Sequence, residues 1–272
     1  MRNKGLIIAW VTAGIALVAG LWVLSRFIFP PPPDRVTMAT GNAQGTYHAA
    51  AVRYQRLLQE DDIQLDLVQT AGAVENLQML QAGEVDLAFL QGGLTPTDTD
   101  ALMGLCSAFL EPLWIFTLED ADIHDLRDLQ ARRVTIGPPG SGTRVLATRL
   151  LTAVGASEDV TTWQEQTLTA KALHDKVSDA GLIVSSLKSE RVRTLLRTPG
   201  LRPISLRRRD AYAQRYPYLE AIELPEGVID LKENLPGQTI QGVAAAASIV
   251  ARKDLHPGVI TVFLMAVQRT HE

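Results

Sequence analysis

The chain has 272 residues, 46% hydrophobic and 21% charged, an ordinary globular balance that excludes disordered and fibrous classes. Lys and Arg number 26 against 30 Asp and Glu, and a net charge of −4 gives no support to nucleic-acid binding. The single cysteine, Cys106, lies in an apolar run, so an internal disulfide is excluded, a metal cluster is not expected, and a buried structural thiol is the reading.

Gly5–Ser25 carries no charge. At ~1.5 Å per residue it would extend about 31 Å as a helix, matching a bilayer core of about 30 Å. It is longer than the apolar region of a cleaved signal and lacks an Ala-x-Ala-like site, so residues 1–29 are expected to be an uncleaved transmembrane anchor. Arg2 and Lys4 precede the apolar run, which places the amino end in the cytoplasm and the rest outside it. Residues 30–35, opening with Pro30–Pro33, form a stiff spacer. Roughly 240 residues remain for a folded part, enough for one large or two smaller domains.

After the spacer, Val36–Ala39 begins a strand and Thr46–Gln59 reads as a helix with Ala50, Tyr54, Leu57 and Leu58 on one face. Ile63–Val68 alternates as a half-exposed strand, Val74, Leu77 and Leu80 mark a second helix, and Val85–Leu90 is a nearly continuous apolar strand ending at Gln91. Strand and helix alternate twice, which implies parallel strands with right-handed crossovers and a ligand beyond their carboxyl ends. Leu105–Leu110 and Leu113–Leu118 are apolar and separated by Glu111-Pro112, a predicted bend. The second series comprises strand Val134–Ile136, helix Arg144–Val154, helix Leu168–Val177, strand Asp179–Val184 and helix Glu190–Leu196. Pro203–Leu206 and Leu219–Leu224 read as strands around a short helix Asp210–Tyr216, and Gln241–Val250 as a strand weakened by Ala244–Ala247. A helix over Ile260–Thr270 runs nearly to the last residue, leaving room for a longer natural chain.

Three loops follow strands and precede helices: Thr40–Tyr47, Thr70–Ala73 and Gly137–Thr143. Glycines let backbone approach a ligand, and the free N–H groups of a helix start attract anions. The third loop supplies Ser and Thr hydroxyls but no lysine where a phosphate-binding loop needs one. Tyr47 adds a flat apolar face and a hydroxyl. The candidate ligand-binding set is Thr40, Gly41, Gly45, Thr46, Tyr47, Thr70, Gly72, Asn76, Gln91, Gly140, Ser141, Gly142 and Thr143. Arg144 and the run Arg207–Arg209, with Arg191, Arg193 and Arg197, read first as solvated charges. Five scattered histidines and the absence of a Gly-x-Ser-x-Gly elbow give no catalytic or metal constellation, and no cofactor is implied.

Val36–Gly41 with Gly45-Thr46-Tyr47, Thr70–Leu77, Ala82–Ala88, Glu111-Pro112 and Val134–Arg144 together resemble the TAXI family of solute-binding proteins. These are substrate-receptor subunits of tripartite ATP-independent periplasmic (TRAP) transporters. The resemblance implies an α/β, two-lobed periplasmic-binding-protein-like fold of type II, with 36–112 and 220–272 in one lobe and 113–219 in the other. It implies that Thr40, Gly41, Thr46, Tyr47, Thr70, Gly72 and the Gly140–Thr143 loop line a cleft for a small carboxylate, such as glutamate, glutamine or a dicarboxylate. Membrane permease subunits would be the partners. Ala73 stands where the family usually has serine, and Gln44 where a glycine is common. The expected role is therefore an extracytoplasmic receptor, not an enzyme. A tethered sensory or scaffold subunit on the same fold is the alternative, and a transferase acting on a phosphorylated substrate is disfavoured by the missing acid–base pair.

Overall fold

The computed structural model describes residues 10–22, 31–94, 100–159 and 161–271. Residues 10–22 form a helix, α1, whose Trp10, Ile15 and Trp22 are exposed. The remainder of the predicted span, 5–9 and 23–25, lies outside the described residues, and among those described no helix is long and apolar enough to cross a membrane. Pro31–Pro33 have no regular structure and are exposed, while Pro30 lies outside the described set.

The elements that follow alternate as the apolar periodicity requires. Strand β1 (Arg35–Gly41) leads through α2 (Thr46–Gln59) to β2 (Gln64–Gln69), and α3 (Ala73–Ala82) leads on to β3 (Leu87–Gln91). Both β2 and β3 pair parallel to β1, so α2 and α3 are crossovers that start beyond the carboxyl ends of their strands. The chain then enters β4 (Leu102–Leu118), followed by β5 (Arg133–Thr135), α4 (Gly142–Ala153), β6 (Thr162–Gln164), α5 (Ala170–His174), β7 (Ala180–Val184) and α6 (Glu190–Arg197). Here too β5 lies parallel to β6 and β7. Last come β8 (Leu201–Pro203), α7 (Arg209–Arg215), β9 (Leu219–Leu224), β10 (Ile240–Arg252) and α8 (Pro257–His271). The strand order is β2-β1-β3-β10-β4-β7-β5-β6, with β8 beside β4 and β9 beside β10.

Two long strands join the halves. β4 is one strand of 17 residues where the sequence predicts two segments and a bend. Pro112 has no N–H to give, and it falls where β4 leaves its antiparallel partner β10 and takes up β7; its carbonyl accepts from Ser185 N at 3.2 Å. The strand passes through the proline because no ladder donor is needed there. β10 makes the reverse journey: Ile240–Ala245 pair with β9, and Ala247–Ala251 pair with β3. Ala244, Ala245 and Ala247 are fully buried, small residues in a strand flanked on both sides.

Each half has its own core. In the first, Tyr54 and Leu58 of α2, Phe89 of β3 and Phe263 of α8 interlock, with the Tyr54 and Phe263 rings edge to face at 5.5 Å. Such fully buried side chains contribute about 1.5–3 kcal/mol each. In the second, Ile115, Val134, Leu146 and Leu150 pack together beside Trp114, Phe116, Val192 and Leu195. Leu224, Ile240, Val243 and Ala245 join this second core, although the sequence reading groups residues from 220 onward with the first lobe. Three further differences are local. The predicted helix Leu168–Val177 shortens to Ala170–His174, started by Thr169, whose Oγ1 accepts from Ala172 N at 3.2 Å. The strand expected at Pro203–Leu206 ends at Pro203, and β6 has no clear apolar alternation in its three residues.

Candidate ligand-binding cleft

The three predicted loops follow the carboxyl ends of β1, β2 and β5, and the ends of β3 and β7 lie beside them at the cleft. Gly72 sits at φ 145°, a region that favours glycine, and a Cβ there would lie 3.1 Å from Gly140 O and from Ser141 Cα. A Cβ on Gly142 would lie 2.1 Å from Gln91 Oε1. The loops of the two halves are therefore in contact. Direct hydrogen bonds cross the gap: Val74 N donates to Gly140 O at 3.2 Å, Gln91 Nε2 to Gly142 O at 3.1 Å, and the Thr46 and Ser186 hydroxyls meet at 3.3 Å.

These contacts frame a cleft of about 140 Å³. Thr40, Gly41, Gly45, Thr46, Tyr47, Gly72, Gln91, Ser141, Gly142 and Thr143 of the candidate set line it. Thr70, Asn76 and Gly140 do not. Thr70 Oγ1 bonds Asn76 Oδ1, and Asn76 Nδ2 donates to Phe89 O at 2.8 Å, tying the start of α3 to β3. Gly140 supplies the carbonyl that receives Val74 N. A wider depression of about 650 Å³ along α4 is lined from the second half alone.

Helices α2, α3 and α4 all begin at the cleft. Gly45 and Gly72 cap α2 and α3 without any side-chain bond, which leaves first-turn N–H groups of α2 open to a ligand, whereas in α3 Val74 N is already taken by Gly140 O. By contrast Ser141 Oγ accepts from Arg144 N at 3.2 Å and donates to Pro138 O at 2.7 Å, which commits its hydroxyl to the loop itself. Thr143 Oγ1 receives Val184 N at 3.0 Å, and Thr40 Oγ1 bonds His48 Nδ1 at 3.0 Å and Val68 O at 3.2 Å. The hydroxyls expected as ligand donors thus hold the walls. Arg144, first read as solvated, pairs with Glu165, and Arg208, Arg209 and Arg197 pair with Asp125, Glu223 and Glu233.

Two charged lining residues lie outside the predicted set, Glu111 on β4 and Arg191 on α6. Glu111 exposes 5% of its surface and accepts from the Tyr47 hydroxyl at 2.5 Å. Burial lifts its carboxyl from 4.5 to about 7, opposed in part by the Tyr47 bond, and burial followed by the Glu111 charge lifts the Tyr47 phenol well above its usual range. The Tyr47 ring stacks on Phe89 at 4.7 Å, so its apolar face serves the core rather than a ligand. Arg191 is exposed, has no side-chain partner among the described residues, and also lines an adjoining chamber of about 120 Å³ shared with Asn42 and Ser141. A carboxylate inside an apolar strand was the signal for Glu111; Arg191 was hidden among surface arginines.

Two α/β halves joined by two long strands, with helix starts facing a shared gap, define a two-lobed, periplasmic-binding-protein-like protein. Residues 38–265 match the NMT1-like family, and the chain belongs to it. Solved structures share the fold at low identity. An ancestral arginine-binding protein bound to arginine aligns at 11% identity and TM-score 0.56, over 88% of this chain and 93% of that one. The effector-binding domain of a BenM variant aligns at 12% and 0.56, over 88% and 94%. The alkanesulfonate-binding protein SsuA from Xanthomonas axonopodis pv. citri, bound to MOPS, aligns at 14% and 0.52, over 88% and 74%.

Proposed function

We propose that this chain is an extracytoplasmic receptor that closes two lobes on a small organic carboxylate and presents it to a membrane permease of the TRAP type. The observation that carries the reading is the convergence of two helix starts without side-chain caps, and of Arg191, which has no partner among the described residues, on one small gap between the halves. Neighbouring folds that bind arginine and a sulfonate support a receptor role, and the ordered TAXI-like motifs support the TRAP partner. In this reading the lobes are 36–112 with the chain from about residue 246 onward, and 113–245, and the anchor is the apolar segment Gly5–Ser25 in the inner membrane. A cleft of about 140 Å³ lies below the about 300–1,000 Å³ typical of drug-sized ligands, so the ligand has few heavy atoms. Thermal unfolding of the full-length chain against a broad panel of amino acids and mono- and dicarboxylates tests the proposal. A saturable rise in unfolding temperature with some members is expected; no response across the panel would refute it.

A further inference from the structure

The depression along α4 is a basic trough, and none of its lining residues lines the cleft. Three arginines line it, Arg144 and Arg149 on α4 and Arg215 at the end of α7, and no acidic side chain does. The three are held differently. Arg149 Nη1 donates to the Tyr218 hydroxyl at 2.8 Å and to Gly93 O at 3.3 Å, with its guanidinium carbon 5.2 Å from the Tyr218 ring centre, so the side chain is fixed before any partner arrives. Arg215 is exposed, 6.0 Å from the Tyr216 ring centre, and neither it nor Arg149 meets a carboxylate among the described residues. Arg144 pairs with Glu165, yet its Nη1 is buried without an acceptor among the described residues, so that bond does not exhaust its donors. Val145, Ala153 and the Tyr216 ring add apolar lining.

We infer that this trough docks an acidic segment of a second protein, whose carboxylates meet the arginines while small apolar side chains rest on Val145, Ala153 and Tyr216. Like charges gathered on one concave face, two of them without a counter-charge, create a positive potential that draws in anions, and the planar guanidinium fork suits a carboxylate in particular. Shape narrows the choice further. The trough holds about 650 Å³ and runs about 14 Å along α4 from Arg144 to Ala153, room for several residues of a peptide, whereas a flat lipid surface would meet only its rim. Because the trough is lined from the second half alone, the inference goes beyond the receptor reading and stands or falls separately from it.

Fluorescence anisotropy of the full-length chain with a short labelled peptide of alternating Glu and Val, against the same peptide with Gln for Glu, tests this. The acidic peptide should bind saturably, at least about tenfold tighter than its Gln counterpart, and should weaken as salt is raised. Arg149→Gln combined with Arg215→Gln should weaken it by about tenfold, whereas Arg53→Gln combined with Arg56→Gln, on α2 in the other half, should leave it unchanged. Should the first pair fail to fold, Arg215→Glu alone decides the matter, because that side chain is exposed and rests only on the Tyr216 ring. Equal binding of the two peptides, no saturable binding, or the same loss in the α2 variant overturns the inference. So does a trough that ignores the peptide but takes up dihexanoylphosphatidylserine and loses it in Arg215→Glu, which would make it a lipid-headgroup site. Each of these failures leaves the response of the cleft to carboxylates, read by unfolding temperature, untouched.

Discussion

Glu111 accepts one hydrogen bond, from Tyr47, and is largely buried at the cleft, so its carboxyl ionises near 7 in the folded chain and near 4.5 when unfolded. Between those values the native state holds more protons than the unfolded one, and stability must fall as pH rises through the window. The unliganded protein should therefore lose roughly 3 kcal/mol from this group between pH 4.5 and pH 7, levelling off above. Urea unfolding at several pH values measures it, and Glu111→Gln should flatten that part of the profile. Ser141→Ala removes the hydroxyl that caps α4 and should cost about 1 kcal/mol, read in the same titration. The glycines and hydroxyls of the loops were legible because they follow strands and open helices. Which hydroxyls would be used up inside the loops was not, since Ser141, Thr143 and Thr40 find their partners in backbone that only folding brings near.

Long amphipathic or strongly apolar segments declared themselves. The predicted limits Thr46–Gln59 and Leu219–Leu224 are those of α2 and β9. Short elements did not: β6 has three residues and is held by parallel pairing to β5, a non-local partner with no local signal. Glu111-Pro112 misled for a related reason, because a proline inside a strand is tolerated where the ladder changes partner, and that changeover is a property of the sheet. Helix α8 is the element on which the first core closes, and its Phe263 is fully buried against Tyr54. Phe263→Ala should destabilise the protein by about 3–5 kcal/mol, seen as a lower urea midpoint with the slope little changed.

At the scale of the molecule, β4 and β10 are the covalent bridges between two independently packed cores, and the loops that meet across the gap are held by a few hydrogen bonds. On the receptor reading proposed above, a ligand would favour this contacting arrangement only through interactions made better when the lobes meet. The αβ rhythm made the two halves foreseeable. Where the chain returns was less so: β9 and the first half of β10 are apolar in a way that suits either core, and their packing with the second half is settled by pairing at a distance. Gly142→Ala tests closure most directly. Its Cβ would push aside the Gln91 amide that bonds Gly142 O across the gap while each core stays intact, so titration of the full-length wild type and this variant with the carboxylate panel should show saturable binding in the first and weaker binding in the second. Equal affinity in both proteins, or no saturable carboxylate in the wild type, would contradict the account.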